Sequence, residues 1–398
     1  MPSAREPDIP IARPLLDEAE AEAARRAILS GWVTQGPEVA AFEEEFAAAV
    51  GTPYACAVSS CTTALHLALR AVGVGPGDEV VTASHSYVAT ANAIRHCGAV
   101  PLFVDVEPGG CNIDPGRVEE SLGPRVKAIL CVHQMGMPCD LAALLAIAER
   151  HGLPLVEDAA CALGSEVDLG DGWERIGRPR GDIACFSFHP RKILTTGDGG
   201  MLTTRHEELD RRFRLERHHG VSVTDMARHT SSRVLQGDHL ELGFNYRLTD
   251  IQAAVGRVQL TRLSEIVERR RELAGRYLEL LAGLPLELPA EPAWARTNWQ
   301  SFWVRLPQEV EREAVMQHLL DVGIATRPGV LCAHREPAYG VEPWRAGPAG
   351  LIESERAQDR SVLLPLYHDL SEEQQGRVVA ALGEALEAVM PGRTGTRG

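Results

Sequence analysis

At 398 residues the chain exceeds the roughly 250–300 at which a single hydrophobic core stops growing, so two domains are expected. Hydrophobic residues at 44% and charged residues at 24% are ordinary soluble-globular values and argue against disordered and fibrous classes. A formal net charge of -15 argues against nucleic acid as the main partner, since affinity for a polyanion comes largely from Lys and Arg, while leaving room for a small anionic substrate.

The opening MPSAREPDIPIARP lacks the apolar core of a signal peptide. No later run approaches the ~18 apolar residues of a membrane span, so a cytoplasmic protein with no membrane partner is expected. From about Tyr54 to Thr204, short β-rich runs alternate with helical patterns: ACAV then CTTALHLALRAV, DEVVT then YVATANAI, VPLFVDV, VKAILCVH then LAALLAIAER, LPLVED, IACFSF and GMLTT. That alternation predicts a largely parallel sheet covered by helices, with its ligand crevice beyond the carboxyl ends of the strands. The nine cysteines are an odd number with no C-x-x-C pair, which predicts free and mostly buried thiols.

After Gly243 the character changes. A helical stretch from about Thr249 to Leu281 opens at TDIQ, where Thr249 and Gln252 have capping-box spacing. The domain junction is expected within it, dividing the chain into a large α/β domain over 1–262 and a smaller α+β domain over 263–398. The second holds LELP, SFWVRLP, the helical EREAVMQHLLDVG and a final helix starting at SEEQ. The run Arg269, Arg270, Arg271 reads as a solvated helix face, and the closing PGRTGTRG as a frayed tail.

Two segments carry the candidate chemistry. LPLVEDAACALGS delivers Glu157 and Asp158 to the end of one strand, and GDIACFSFHPRKILTTGDGGML ends another at Phe188 and presents His189, Arg191 and Lys192 on a loop. A carboxylate and a lysine thus reach the same edge. For pyridoxal phosphate (PLP) the lysine amine condenses with the cofactor aldehyde, and the carboxylate stabilises a protonated pyridine nitrogen that draws electrons from a substrate carbanion. A carboxylate about 4 Å from that nitrogen, at an effective dielectric near 20, supplies roughly 4 kcal/mol, or about three pKa units.

A phosphate needs a cradle, and VSSCTTALHLAL offers a strand, a polar turn and a helix opening near Thr62, with hydroxyls on Ser59, Ser60, Thr62 and Thr63. Taken alone, it reads first as an ordinary capped helix start. GDGG, Gly197 to Gly200, permits an unusual turn after Lys192 but is not a nucleotide-binding G-x-G-x-x-G fingerprint.

These segments, with VTQGPEVAAFEEEFAAAVG, GDEVVTASHSYVATANAI and LGFNYRLTDIQAAVGRVQL, resemble in type and order the DegT/DnrJ/EryC1/StrS aminotransferases, the sugar aminotransferases, from about Ile9 to Leu386. The resemblance implies the α/β architecture of PLP-dependent transferase fold type I, like aspartate aminotransferase: a large domain with a mostly parallel sheet and a smaller α+β C-terminal domain. It implies Lys192 as the lysine bound to the cofactor and Asp158 as the pyridine-nitrogen partner. Thr62, Thr63 and Ser187 are implied at the phosphate, and Tyr87 stacked on the ring. Asn245 is implied to reach the phosphate of the neighbouring subunit, which makes the protein a homodimer with shared sites.

Three departures stand out. Cys61, Thr62 and Thr63 replace the frequent Gly-Thr-Ala, and Cys161 stands where Gln or His often approaches the cofactor's phenolic oxygen, offering only a weak S–H bond. ATRPGVLCAHREPAY lacks the histidine of the family's T-x-V-H-Y segment, so Arg327 or His334 is left to contact substrate. His189 either assists proton transfer or packs beside the cofactor. Arg247 and Arg327 either grip a carboxylate or diphosphate or form surface salt bridges.

The expected reaction is transamination of a nucleotide-linked 3- or 4-keto-hexose with glutamate or glutamine as donor. A keto-cyclitol acceptor is an alternative. So is sugar dehydration, against which Lys192 speaks because such relatives carry histidine there. A regulatory cofactor-binding domain is a third class, disfavoured because the catalytic fold consumes about 400 residues and no basic DNA-reading module is present.

Overall fold

The computed structural model describes residues 8–223, 228–229 and 231–389. The tail expected at PGRTGTRG lies outside them. In chain order the first strands are β1 (Tyr54–Val58), β2 (Glu79–Ala83), β3 (Val100–Val104), β4 (Val126–Val132) and β5 (Leu155–Asp158). A short pair follows, β6 (Glu166–Asp168) and β7 (Trp173–Arg175), then β8 (Ile183–Ser187) and β9 (Gly200–Thr204). The rest are β10 (Ala295–Arg296), β11 (Phe302–Arg305), β12 (Arg327–Pro328), β13 (Arg345–Ala346) and β14 (Ser361–Leu364).

The main sheet has eight strands in the order β1-β9-β8-β5-β4-β2-β3-β13. Every neighbouring pair is parallel except the two made by β9, which runs against both β1 and β8. Alternate residues of each strand enter different cores. Ala55, Ala57, Ile129 and Cys131 belong to one hydrophobic cluster, and Cys56, Val58, Ala128 and Leu130 to the other. Both faces are therefore covered, which is why these strands read as nearly continuous apolar runs.

The reversal of β9 positions the site. Because β8 and β9 are antiparallel neighbours, the loop 188–199 turns back at the carboxyl edge and pairs Ser187 with Gly200, which also pairs with Val58 at the end of β1. Phe186 and Phe188 pack against Phe42 and Phe46 of helix Pro37–Val50. The period of two then turns Ser187 to the other face.

The expected single helix from Thr249 to Leu281 is two, Asp250–Thr261 and Leu263–Leu281, broken at Arg262, whose guanidinium reaches Asp17 (2.8 Å) and Glu20 (3.5 Å). The second helix starts in the large core with Leu263, Ile266 and Val267 and ends in a separate C-terminal core with Leu273, Ala274, Tyr277 and Leu281. Ile9 is also buried in that C-terminal core and bridges to Ile324, so the first described residues cross to it. There β11, β14 and β12 form a three-stranded sheet. Among the described residues no helix is long and apolar enough to cross a membrane.

The arginine run is not a solvated face. Arg269 donates to the carbonyls of His368 and Leu370, buried Arg270 to those of Trp299 and Gln300, and Arg271 to that of Thr297. Sequence periodicity marks a polar residue, not the carbonyls that distant segments bring to it.

Two helices are capped from far away. Helix Pro37–Val50 starts at Gly36 and helix Ile352–Arg360 at Leu351, neither with a capping side chain of its own. Asp250 accepts the N–H groups of Gly36, Glu38 and Val39, and Asp105, just past β3, those of Glu353 (2.8 Å) and Ser354 (2.7 Å). Asp105→Ala is expected to lower the unfolding free energy by about 1–2 kcal/mol in urea denaturation, because it bares helix N–H groups. A loss under about 0.5 kcal/mol, the range of an indifferent surface change, would contradict this.

Candidate active site

Asp158 closes β5, and Lys192 lies on the loop after β8, the strand beside it. Asp158 is buried, with only 4% of its surface exposed. One of its oxygens accepts the Thr90 hydroxyl (2.8 Å) and the other the N–H of Ala160 (3.1 Å). Since Thr90 donates to Asp158, the Ser86 hydroxyl 2.8 Å away donates to Thr90, giving a relay from Ser86 through Thr90 to the carboxylate. Burial raises the Asp158 pKa above its ordinary value, against the pull of these hydrogen bonds and of the Lys192 charge.

Lys192 Nζ donates to Cys161 Sγ at 3.0 Å. Burial works against its charge, but Cys161, Cys61 and Asp158 around it outweigh that and hold its pKa above the ordinary lysine value. Cys161 follows Asp158 by three residues, so one turn supplies both the anion and the sulfur that parks the amine. All nine cysteines are free, and Cys161 is the one that is not buried.

The helix Cys61–Ala71 begins at the carboxyl end of β1. Ser60 caps it by accepting the Thr63 N–H (3.2 Å), while Thr63 Oγ1 accepts the Ser60 N–H (3.1 Å) and donates to the Ser60 carbonyl (2.8 Å). The Thr63 hydroxyl proton is thus committed to the cap. The N–H groups of Cys61 and Thr62 and the Thr62 hydroxyl have no partner among the described residues and lie at the positive helix end. A Cβ on Gly200 would fall 2.5 Å from the Ser60 carbonyl carbon and 2.7 Å from the Cys61 nitrogen, so only glycine lets this helix start lie against β9. Ser187, paired with Gly200, is half-buried and receives only a long bond from the His189 N–H (3.5 Å).

PLP fits these groups: free N–H donors and a hydroxyl for its phosphate, an amine for its aldehyde and a buried anion for its ring nitrogen.

The remaining singled-out residues divide. Tyr87 stands at the start of helix Val88–His96 with 72% of its surface exposed. His189 Nδ1 accepts the Arg191 N–H (3.2 Å), and burial together with the Arg191 charge holds its pKa below the ordinary value, so the ring is neutral at pH 7. Arg247 lies across from Val58, with its guanidinium 2.6 Å from His218 Nδ1, which puts it next to the phosphate-cradle strand. Asn245 is exposed. Arg327 has no ion pair or side-chain hydrogen bond among the described residues, and burial and the Arg191 charge lower its pKa. Both ring nitrogens of His334 have partners, Nδ1 lying 2.6 Å from Ser84 Oγ and Nε2 3.1 Å from Glu355.

The sequence gives no sign of Thr90, which donates to Asp158, or of Ser86, which reaches the carboxylate only through Thr90.

Residues 14–383 match the model of the DegT/DnrJ/EryC1/StrS aminotransferase family. The chain is similar to the aminotransferase TlmJ from Streptoalloteichus hindustanus, at 38% identity and a TM-score of 0.86 over 96% of this chain and 99% of that one. It is similar to S. venezuelae DesV, solved with a ketimine intermediate, at 37% identity and a TM-score of 0.85 over 96% and 99% of the two chains. A putative sugar aminotransferase from Streptococcus pneumoniae in its PLP form matches at 26% identity and a TM-score of 0.88, again over 96% and 99%. The architecture is that of PLP-dependent transferase fold type I.

A buried carboxylate burdens the fold that holds it. With its pKa raised on folding, Asp158 binds its proton more tightly in the folded than in the unfolded state. The ionised form therefore destabilises the fold above the folded pKa, and the penalty disappears below the unfolded one. Cofactor-free Asp158→Asn is expected to melt above cofactor-free wild type at about pH 8, the gap closing as the pH falls toward about 4. A variant that melts no higher than wild type at the alkaline end would contradict the assignment.

Proposed function

This chain belongs to the DegT/DnrJ/EryC1/StrS family and is a PLP-dependent aminotransferase, and on that footing we propose that it transfers an amino group from glutamate or glutamine to a nucleotide-linked 3- or 4-keto-hexose. The observation that carries the site assignment is the convergence of Lys192, Cys161 and Asp158 at one sheet edge, beside a helix start with unpartnered N–H groups. A putative sugar aminotransferase among the similar structures supports a sugar acceptor.

When bound, the cofactor supplies an aldehyde that links to amines and a ring that withdraws electrons from the carbon losing its proton. Asp158 keeps an anion at the ring nitrogen, fixed by Thr90 and Ala160. The N–H groups of Cys61 and Thr62, with the hydroxyls of Thr62 and Ser187, hold the phosphate. The Tyr87 ring covers the heterocycle, an aromatic face on an aromatic face. Lys192 Nζ carries the proton that leaves the donor carbon and returns to the acceptor, and Cys161 holds the amine in place when it is free. His189, neutral, packs beside them. Arg191 and Arg327, with no carboxylate partner among the described residues, give a protein of net charge -15 a positive approach suited to a diphosphate or carboxylate.

The enzyme works in the cytoplasm as a homodimer with shared sites. Asn245 is exposed, and Val234, Leu240 and Leu242 on the preceding segment expose 99%, 66% and 89% of their surface, as expected of residues awaiting a second subunit. Asn245 then serves the phosphate of the partner site, with Arg247 beside it.

The purified protein is expected to show the absorbance of lysine-bound PLP, to lose it with glutamate and to regain it with a keto-sugar. Lys192→Ala abolishes the starting band, and an unchanged spectrum would refute the assignment. Lys192→Ala and Asn245→Ala proteins, each inactive alone, should regain about a quarter of wild-type activity when unfolded and reassembled together, because half of the dimers are mixed and each mixed dimer carries one intact site. Mixtures that stay inactive would mean the sites are not shared.

A further inference from the structure

Lys192 is held from a distance as well as by its neighbours. The segment Thr297 to Gln300 lies just before β11, over one hundred residues from the lysine loop and from Asp158. Asn298 is buried, and its Nδ2 donates to the carbonyls of both Cys161 (2.8 Å) and Leu163 (2.8 Å). Its own N–H donates to Ser165 Oγ (3.0 Å), and its Oδ1 accepts the N–H of Gln300 (2.8 Å). Gln300 Nε2 in turn donates to the carbonyl of Arg191, the residue before Lys192. With the 3.0 Å contact from Lys192 to Cys161, these bonds close a ring through Lys192, Cys161, Asn298, Gln300 and Arg191.

The grip is specific. Trp299 has φ 51°, a left-handed conformation that residues with a Cβ rarely adopt. The turn is held by the Trp299 N–H on Thr297 Oγ1 (3.1 Å) and by buried Arg270, which donates to the carbonyls of Trp299 (3.1 Å) and Gln300 (3.2 Å). Gly136 leaves the space that Asn298 fills, since a Cβ there would stand 2.0 Å from Asn298 Oδ1. Gln300 Oε1 has no partner among the described residues although it is buried, while the other half of the amide holds Arg191.

We propose that Asn298 and Gln300 are positioning residues that fix the Lys192 amine relative to Asp158, Gln300 by gripping the carbonyl of Arg191 just before the lysine and Asn298 by gripping the carbonyls of Cys161 and Leu163 in the turn that follows Asp158. The inference rests on the reading of Lys192 as the cofactor-bearing lysine. Arg270 lies on helix Leu263–Leu281, which runs from the large core into the C-terminal one, so the grip also ties the amine's position to the C-terminal domain. The amine must be held within about 0.5 Å of its productive position for the linkage to form, and two amides bonded to the lysine loop and to the turn after Asp158 restrict that freedom.

The test uses holoenzyme carrying Gln300→Glu, which keeps the shape but turns an acceptor toward the Arg191 carbonyl, and a second variant, Asn298→Ala. Gln375→Ala, which removes a buried amide bonded to the Leu273 carbonyl in the C-terminal core, is the control. Three quantities are read: the pH midpoint of the bound-cofactor absorbance, the rate at which the band returns when PLP is added to stripped protein, and the melting temperature. Both site variants are expected to move the midpoint by about half a unit or more. They should slow the return by about tenfold to a hundredfold, while melting no lower than the control, whose midpoint and rate stay at wild-type values. Wild-type midpoints and rates in the site variants, or an equal displacement in the control, would overturn the proposal. If Asn298→Ala fails to fold, Gln300→Glu decides alone. A band lost in Lys192→Ala with an unmoved Gln300→Glu defeats only this inference; a band surviving in Lys192→Ala defeats the assignment beneath it.

Discussion

On the proposed assignment an amine and a carboxylate must be held at opposite ends of one flat heterocycle, and strand order brings the two groups to one edge of the sheet. Asp158 ends β5, and Lys192 follows β8, the strand hydrogen-bonded to it. Neighbouring strands lie about 4.8 Å apart, so side chains from their two ends start within reach of one ligand. The reversed β9 then brings Gly200 against the start of helix Cys61–Ala71, adding the anion cradle to the same edge. The parallel pair β5–β8 and the antiparallel β9 together thus bring three chain segments to one edge.

Holding these groups ready carries a cost. Burial raises the Asp158 pKa, and its two hydrogen bonds offset only part of what a bound cation would supply. Trp299 sits in left-handed backbone, and Gln300 Oε1 has no partner among the described residues. Departures from local preference gather around the proposed lysine, as expected where a site is prepared in advance of its ligand.

The sheet was legible because its strands are short apolar runs set between helical patterns. The FSF segment shows the logic at the scale of one residue: two phenylalanines reach the core, so the serine between them faces away. The sequence places Lys192 and Asp158 at the same edge because one closes a strand and the other follows one. What escaped depends on partners distant in sequence. Arg270 looks like a surface residue until the carbonyls of Trp299 and Gln300 are seen against it, and Asn298 gives no sign that it will bind Cys161. Thr63 and His334 are side chains suited to a ligand that are also bonded within the protein, one within its helix cap and one between Ser84 and Glu355. Residue type states what a group is able to bind, whereas only the fold states whether it is free.

On the proposed assignment a buried anion at Asp158 keeps the cofactor's ring nitrogen protonated. The most direct measure of this is the nitrogen-15 chemical shift of PLP labelled at that nitrogen and bound to the protein, followed as the pH is raised. A pyridinium shift that persists well above the pH at which free PLP loses this proton is expected. A shift typical of the neutral ring at neutral pH would place Asp158 away from the ring nitrogen and refute the assignment.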